Sequence, residues 1–375
     1  MTIDEFPPAS PCGALADFLL ASPRGTLAAG GAYFSVPPSA REHGLADLPA
    51  RVRGALGVAV AAGHPTPIVV GAIPFAPDAH AHLFVPQWAR RGRPPVAGGI
   101  PAGPGAEPGE PRQVPPPDDY AEAVRRAVAR LRAGDLDKVV LARSLTVPYR
   151  GDLAPLVAAL ARREPDGHTF AAALPGGRTL LGASPELLVS RTGRTVVANP
   201  LAGSAPADGD PAALLASAKD LREHALVVDA VAAALEPYCT VLRVPPRPSL
   251  TRTGALWHLS TRITGELADP ATTSLELAAA LHPTPAVCGT PTDAARRLIA
   301  ELEPFDRGFY TGLVGWQDAA GDGEWVVAIR CAVADGVALT LYAGAGIVAE
   351  SDPAAELAET SAKFRTALGA LRVAG

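Results

Sequence analysis

Cysteine is scarce in this chain of 375 residues: Cys12, Cys239, Cys288 and Cys331 are scattered and lack metal-type spacing. That excludes a disulfide-framed scaffold and a cysteine zinc site, and it implies a reduced, cytoplasmic setting. No run of about eighteen apolar residues occurs, so no membrane-spanning helix and no membrane partner are expected. The opening MTIDEFPPAS is acidic and has no apolar segment, unlike a secretory signal. Positive charge is not in excess. The net charge of −5 excludes a nucleic-acid binder, whose footprint is strongly basic. Lysine is rare while Ala, Gly, Pro and Arg abound, a mark of a GC-rich genome rather than of a function. Apolar residues are plentiful: 48% hydrophobic against 19% charged is ample for a folded core.

Composition shifts most sharply over residues 91–117, RGRPPVAGGIPAGPGAEPGEPRQVPPP, a Pro/Gly run that reads as a loop or linker. It separates an N-terminal segment, residues 1–117, from a richer C-terminal region, residues 118–375. The N-terminal segment holds strand-like runs, GALGVAVAA and PIVVGAIPF, and no chemical constellation. In the C-terminal region, PDDYAEAVRRAVARLRAG has helical spacing and ends on Gly134, while DKVVLARSLTVP reads as a strand. A Thr192–Gly193 turn joins the strands that follow. ALLASAKDLREHALVVDAVAAALEPY reads as one long helix, and residues 309–348 as a strand meander. A closing helix starts at Pro353 behind the N-cap Asp352. Strand runs with interspersed helices predict mixed α/β layers, largely antiparallel.

Two helices carry acid pairs. Asp220 and Glu223 lie three apart, as do Glu356 and Glu359, so each pair shares a helix face. Such faces are otherwise merely solvated. Brought together, they would suit Mg²⁺, a hard cation that wants oxygen ligands and keeps waters. The closing helix also follows Gly344 and Gly346, whose bare backbone N–H groups can receive a carboxylate.

The strings DKVVLAR, GASPELLV, NPLAGSAP, KDLREHALVVDAV, LWHLSTRITGEL, HPTPAVCGTP, FDRGFYTGLVGW, WVVAIRCA and YAGAGIVAESDPAAELAETSAKF stand in this order over about 250 residues. They resemble the chorismate-utilising enzymes, a family that includes isochorismate, salicylate, anthranilate and aminodeoxychorismate synthases. The resemblance implies an α+β fold, a large layered sandwich of mainly antiparallel sheets with flanking helices, as one such domain over residues 1–375, with a variable N-terminal segment (1–117) and a catalytic region (118–375). Within the family Lys138, the AGS of Ala202 to Ser204 and the TPAVCG of Thr284 to Gly289 resemble isochorismate synthases, which use water where anthranilate synthases use ammonia. Salicylate synthase, which adds loss of pyruvate, is the nearest alternative; a binding protein without turnover is a further one.

The roles follow from the resemblance. Water attacks C2 of chorismate, the ring double bonds shift, and the C4 hydroxyl leaves. Lys138 is expected as base and Glu186 as acid. Burial disfavours the charged form of each residue type, which such roles require. The unremarkable alternative for Lys138 is an exposed strand-edge lysine. Glu223 and Glu359 are expected to hold Mg²⁺, with Asp220 and Glu356 acting directly or through waters. Tyr310, Arg330, Lys363, Gly344 and Gly346 are expected around the enolpyruvyl carboxylate. His258 is either a satisfied core histidine or a contact to the substrate, and Gly203 and Ser204 shape the wall beside the attacking water. A monomer is expected, with an isochorismatase-type enzyme consuming the product.

Overall fold

The structure, a computed structural model, describes residues 15–39, 44–93, 110–206, 209–253 and 256–373. Most of the Pro/Gly run (94–109) and Cys12 lie outside them. The ends of that run are not loop: Arg91 and Gly92 finish the strand His82–Gly92, and Arg112–Val114 is a short strand.

A single antiparallel ladder runs through the molecule. Its first full strand, Lys138–Pro148, pairs over its length with Ala338–Ile347, Val139 opposite Ile347. The ladder passes on through Cys331–Ala334, Arg178–Ser184, His168–Leu174, Phe18–Ser22 and Gly25–Ser35. It then continues through His82–Gly92, Ile68–Ile73, Leu313–Asp318, Gly323–Val327, Leu187–Thr192, Thr195–Asn199, Ile263–Leu267 and Cys239–Arg243. A ladder this long curls rather than staying flat, because neighbouring strands twist. Its two halves pack face to face: Phe170 and Leu180 from one half share an apolar core with Val314 and Val326 from the other. Helices cover the outer faces, with Leu48–Ala61, Ala218–Leu235 and Ser274–Leu281 over one half and Leu153–Arg163 and the closing helix Pro353–Val373 over the other. This is the expected α+β sandwich, and strands from both sides of the Pro/Gly run share its ladder.

Three local readings change. GALGVAVAA belongs to the helix Leu48–Ala61, not to a strand. Val52, Ala55, Leu56 and Ala59 repeat at helical spacing and are buried, while Val58 and Val60 face out. The long helix is broken at Ser217, which is extended and accepts a hydrogen bond from the Asp220 N–H at 3.2 Å. Asp220 therefore sits in the first turn of a fresh helix, Ala218–Leu235. The meander is two hairpins, because Gly323–Val327 pairs with Leu187–Thr192 whereas Cys331–Ala334 pairs with Arg178–Ser184.

That last difference positions the site. The chain crosses between the two halves at residues 185–186 and again at 328–330. Both crossings fall at one end of the sandwich, and they carry Glu186 and Arg330. A second, small sheet of Leu201–Pro206, Leu256–Ser260 and Ser249–Thr253 closes over this end.

Candidate active site

A cleft of about 870 Å³, open to solvent, lies where the crossings, the small sheet and the two acidic helices meet. Of the fourteen residues expected from sequence, twelve line it. Lys138 and Glu356 stand just behind its wall.

Lys138 opens the central strand and is fully buried. Its Nζ lies 3.0 Å from Glu223 Oε1. Gly346 is what gives it room: a Cβ there would sit 2.3 Å from Glu223 Oε1 and 3.0 Å from Lys138 Cε. Glu186 follows Pro185 at the first crossing, and its backbone N–H donates to Ser184 Oγ at 3.1 Å. Burial pushes its carboxyl up to about 8, although the Lys138 charge and a backbone donor at Leu201 pull the other way. Glu186 is thus a protonated acid at neutral pH, placed within the field of a buried amine. His224 lies beside the same amine. Burial and the Lys138 charge hold it down at about 4, and its Nε2 contacts Thr261 Oγ1 at 2.7 Å.

The facing wall is acidic. Asp220, Glu223 and Glu359 line it. Burial raises the Asp220 carboxyl, with Glu223 and Glu359 adding to the rise and the Ser217 hydrogen bond opposing it. Glu359 is the exception: burial would push it up, but Lys363 at 2.6 Å and the Ser204 hydroxyl at 3.1 Å hold it below the usual range. Glu356 lies deeper, 2% exposed, and is raised by burial and by Glu359. Its carboxylate is held by Lys219, at 3.1 Å, and by Ser351. Among the described residues, no three His, Cys, Asp or Glu side chains form a ready metal cage. The donor set nevertheless suits a hard dication: three carboxylates on one wall, all oxygen, with mutual repulsion that a cation would relieve.

The opposite side is basic and aromatic. Tyr310 stacks on Tyr342 with centroids 4.9 Å apart and planes 11° from parallel. Burial pushes both hydroxyls up, Tyr342 to about 12. Arg330 adopts a left-handed backbone, φ 51°, and its Nη2 donates to His258 Nε2 at 3.3 Å. His258 is opposite Ser204 in the small sheet. Its Nδ1 faces the Gly203 carbonyl at 3.3 Å, and since a carbonyl only accepts, Nδ1 carries the proton. Burial, Arg330 and Lys363 hold this ring neutral, down at about 3. Gly203 has φ 72° at a bulge between Ala202 and Ser204, which a side chain would strain. Lys363 donates to the Gly344 carbonyl at 2.8 Å.

Sequence reasoning missed several lining residues. Tyr342 is the platform under Tyr310. Thr311 lines the cleft with φ 59°, an outlier for a β-branched residue. It is held by its hydroxyl donating to the Tyr310 carbonyl at 2.6 Å and by Arg307 Nη1 donating to that hydroxyl at 3.3 Å. Arg307 itself is buried against Glu303 and donates to the carbonyls of Val140 and Val287, both on the cleft wall. Lys219 was also missed, and a signal existed. The chain has only three lysines, Lys138, Lys219 and Lys363, and all three stand at this cleft.

Comparison with known proteins agrees with this geometry. Residues 105–372 match the family model described as chorismate binding enzyme. Isochorismate synthase DhbC of Bacillus subtilis is 52% identical over 95% of this chain and 94% of its own length. Isochorismate synthase EntC of Escherichia coli is 40% identical over 83% of this chain and 82% of its own. The crystal structure of DhbC from Bacillus anthracis superposes with a TM-score of 0.88 at 48% identity, covering 96% of each chain. With its fold, its cleft and a family match that spans both crossings and both acidic helices, the chain belongs to the chorismate-binding enzyme family.

Proposed function

We propose that this protein is an isochorismate synthase, converting chorismate to isochorismate by adding water at C2 and expelling the C4 hydroxyl. The observation that carries this reading is Glu186, a fully buried carboxyl at about 8, set at the cleft beside buried Lys138. The reaction needs a proton removed from water and a proton given to a leaving hydroxyl. Lys138 takes the first and Glu186 gives the second. Gly346 keeps the amine close under the wall, and Gly203 and Ser204 bound the space for the water. His258, neutral and donating through Nδ1 to the Gly203 carbonyl, accepts at Nε2 from the Thr253 hydroxyl at 3.1 Å and from Arg330 at 3.3 Å, which orients the guanidinium. Arg330, Lys363 and Tyr310 receive the enolpyruvyl carboxylate, the guanidinium fork suiting two oxygens.

Asp220, Glu223 and Glu359 would hold Mg²⁺, with Glu356 behind them, and a bound ion would supply positive charge to offset the anionic substrate. The whole chain acts as one catalytic unit in a reduced, cytoplasmic setting, as a monomer, and an isochorismatase-type enzyme consumes the product. The relatives above are named as isochorismate synthases, and no feature of the cleft favours the salicylate-forming alternative.

The test is product identification. Purified protein given chorismate and Mg²⁺ should yield isochorismate by chromatography. Salicylate with stoichiometric pyruvate would replace this reading by the alternative, and ammonia-dependent amination would point to the anthranilate branch.

A further inference from the structure

We infer that Lys219 is a positioning residue that fixes the spacing of the two acidic helices, and that arginine cannot replace it. The inference rests on the metal reading above.

Two independent observations carry it. The first is compositional. Thirty-three residues are Lys or Arg, and four of them stand at the cleft: Lys138, Lys219, Arg330 and Lys363. Every other member of that set is arginine. Whatever has driven lysine out of this sequence has spared only cleft positions. Lys138 has a role as base, and Lys363 is tied to Glu359 and the Gly344 carbonyl. Lys219 is the one left without a role.

The second is geometric. Asp220 and Glu223 ride on the helix Ala218–Leu235, and Glu356 and Glu359 on the closing helix. Lys219, one residue before Asp220, reaches across to Glu356 Oε1 at 3.1 Å. The other two lysine pairs serve differently: Lys363 and Glu359 share one helix, and Lys138 reaches Glu223 from the central strand. Arg222 and Glu350 also span this region, but they are more than half exposed and screened by solvent. Lys219, itself 38% exposed, instead meets a carboxylate that is only 2% exposed. An ammonium is a compact charge on a slender stem. A guanidinium is a planar fork that needs a wider opening and two acceptor directions. Lys219 makes one contact, to Oε1, with a carboxylate that Ser351 also holds, and a compact ammonium matches that single contact. Residues that orient metal-binding carboxylates typically govern affinity by about 10- to 100-fold.

Two charge-conserving substitutions isolate geometry from charge: Lys219→Arg, and Glu356→Asp, which shortens the bridge from the other side. Mg²⁺ binding to the chorismate-free protein is measured by calorimetry, alongside thermal unfolding. Both variants should bind Mg²⁺ about tenfold more weakly. For Lys219→Arg, saturating Mg²⁺ should bring kcat most of the way back. A Lys219→Arg protein that folds and binds Mg²⁺ as the wild type does overturns the inference, and Glu356→Asp decides it should the arginine variant not fold. A wild-type protein that binds no Mg²⁺ removes the metal reading and this inference together, whereas unaltered variants beside a binding wild type remove this inference alone.

Discussion

Replacing Glu186 by glutamine should trade activity for stability, and it should do so in a pH-dependent way. The folded protein holds this carboxyl at about 8, against an ordinary value of 4.5. The unfolded chain therefore releases the proton first as pH rises. Between those values the folded state binds more protons, so stability falls with increasing pH. At about 1.4 kcal/mol per tenfold change, the full cost of ionising Glu186 is on the order of 4–5 kcal/mol, of which about 3 kcal/mol is already felt at pH 7. Glutamine has the shape of the protonated acid and cannot ionise. Denaturant unfolding of Glu186→Gln and wild type at pH 5, 7 and 9 should thus give near-equal stability at pH 5 and a variant progressively more stable at pH 7 and 9. Turnover should fall about 100- to 10,000-fold, the usual worth of a general acid. Parallel stability curves across that range would show that Glu186 is ionised in the folded protein, and a variant with near-normal kcat would show that it is not the acid. Either result would falsify the role assigned to it.

Other outcomes are expected. Wild-type turnover should decline as pH rises through about 8, where Glu186 loses its proton, and a flat profile to pH 10 counts against it. Lys138→Met should lower kcat about 100-fold or more. Asp220, Glu223 and Glu359 stay in place in this variant, so a direct titration should show Mg²⁺ binding within a few-fold of wild type. Glu359→Gln should weaken Mg²⁺ binding and chorismate capture together; an unchanged titration refutes its place on the metal wall. Gly346→Ala should cost at least about tenfold in kcat/KM with little change in unfolding temperature, because its Cβ would press 2.3 Å from Glu223 Oε1.

Much of the site was legible because its residues are fixed by local pattern. Acids three apart on a helix share a face wherever that helix goes, and Asp220, Glu223 and Glu359 do reach one cleft. The closing helix starts where Asp352 and Pro353 place it, with Asp352 accepting from the Ala355 N–H at 2.9 Å. Gly203 and Gly346 do line the cleft as expected, but only the structure shows why they are glycines: a positive φ at Gly203 and a Cβ only 2.3 Å from Glu223 Oε1 at Gly346. Local pattern failed where the competing signal was short-range ambiguity. Alternating Val and Ala over 54–62 fits a strand or a helix, and burial of Ala55 and Ala59 decided for helix. Ser217 looked like one more helical residue until its side chain turned to cap the next helix.

The amino-acid sequence by itself determined several C-terminal strands, the start of the closing helix and the acid spacing, since periodicity and caps act within a few residues, and its ordered motifs determined the reaction family. Only the tertiary structure decided that Lys138 is buried rather than an exposed edge lysine, that Glu356 stands behind the wall bound to Lys219, and that Glu186 keeps its proton. Those outcomes depend on how far water is excluded and which charges approach from distant segments, and neither quantity exists until the two halves of the sheet close on each other.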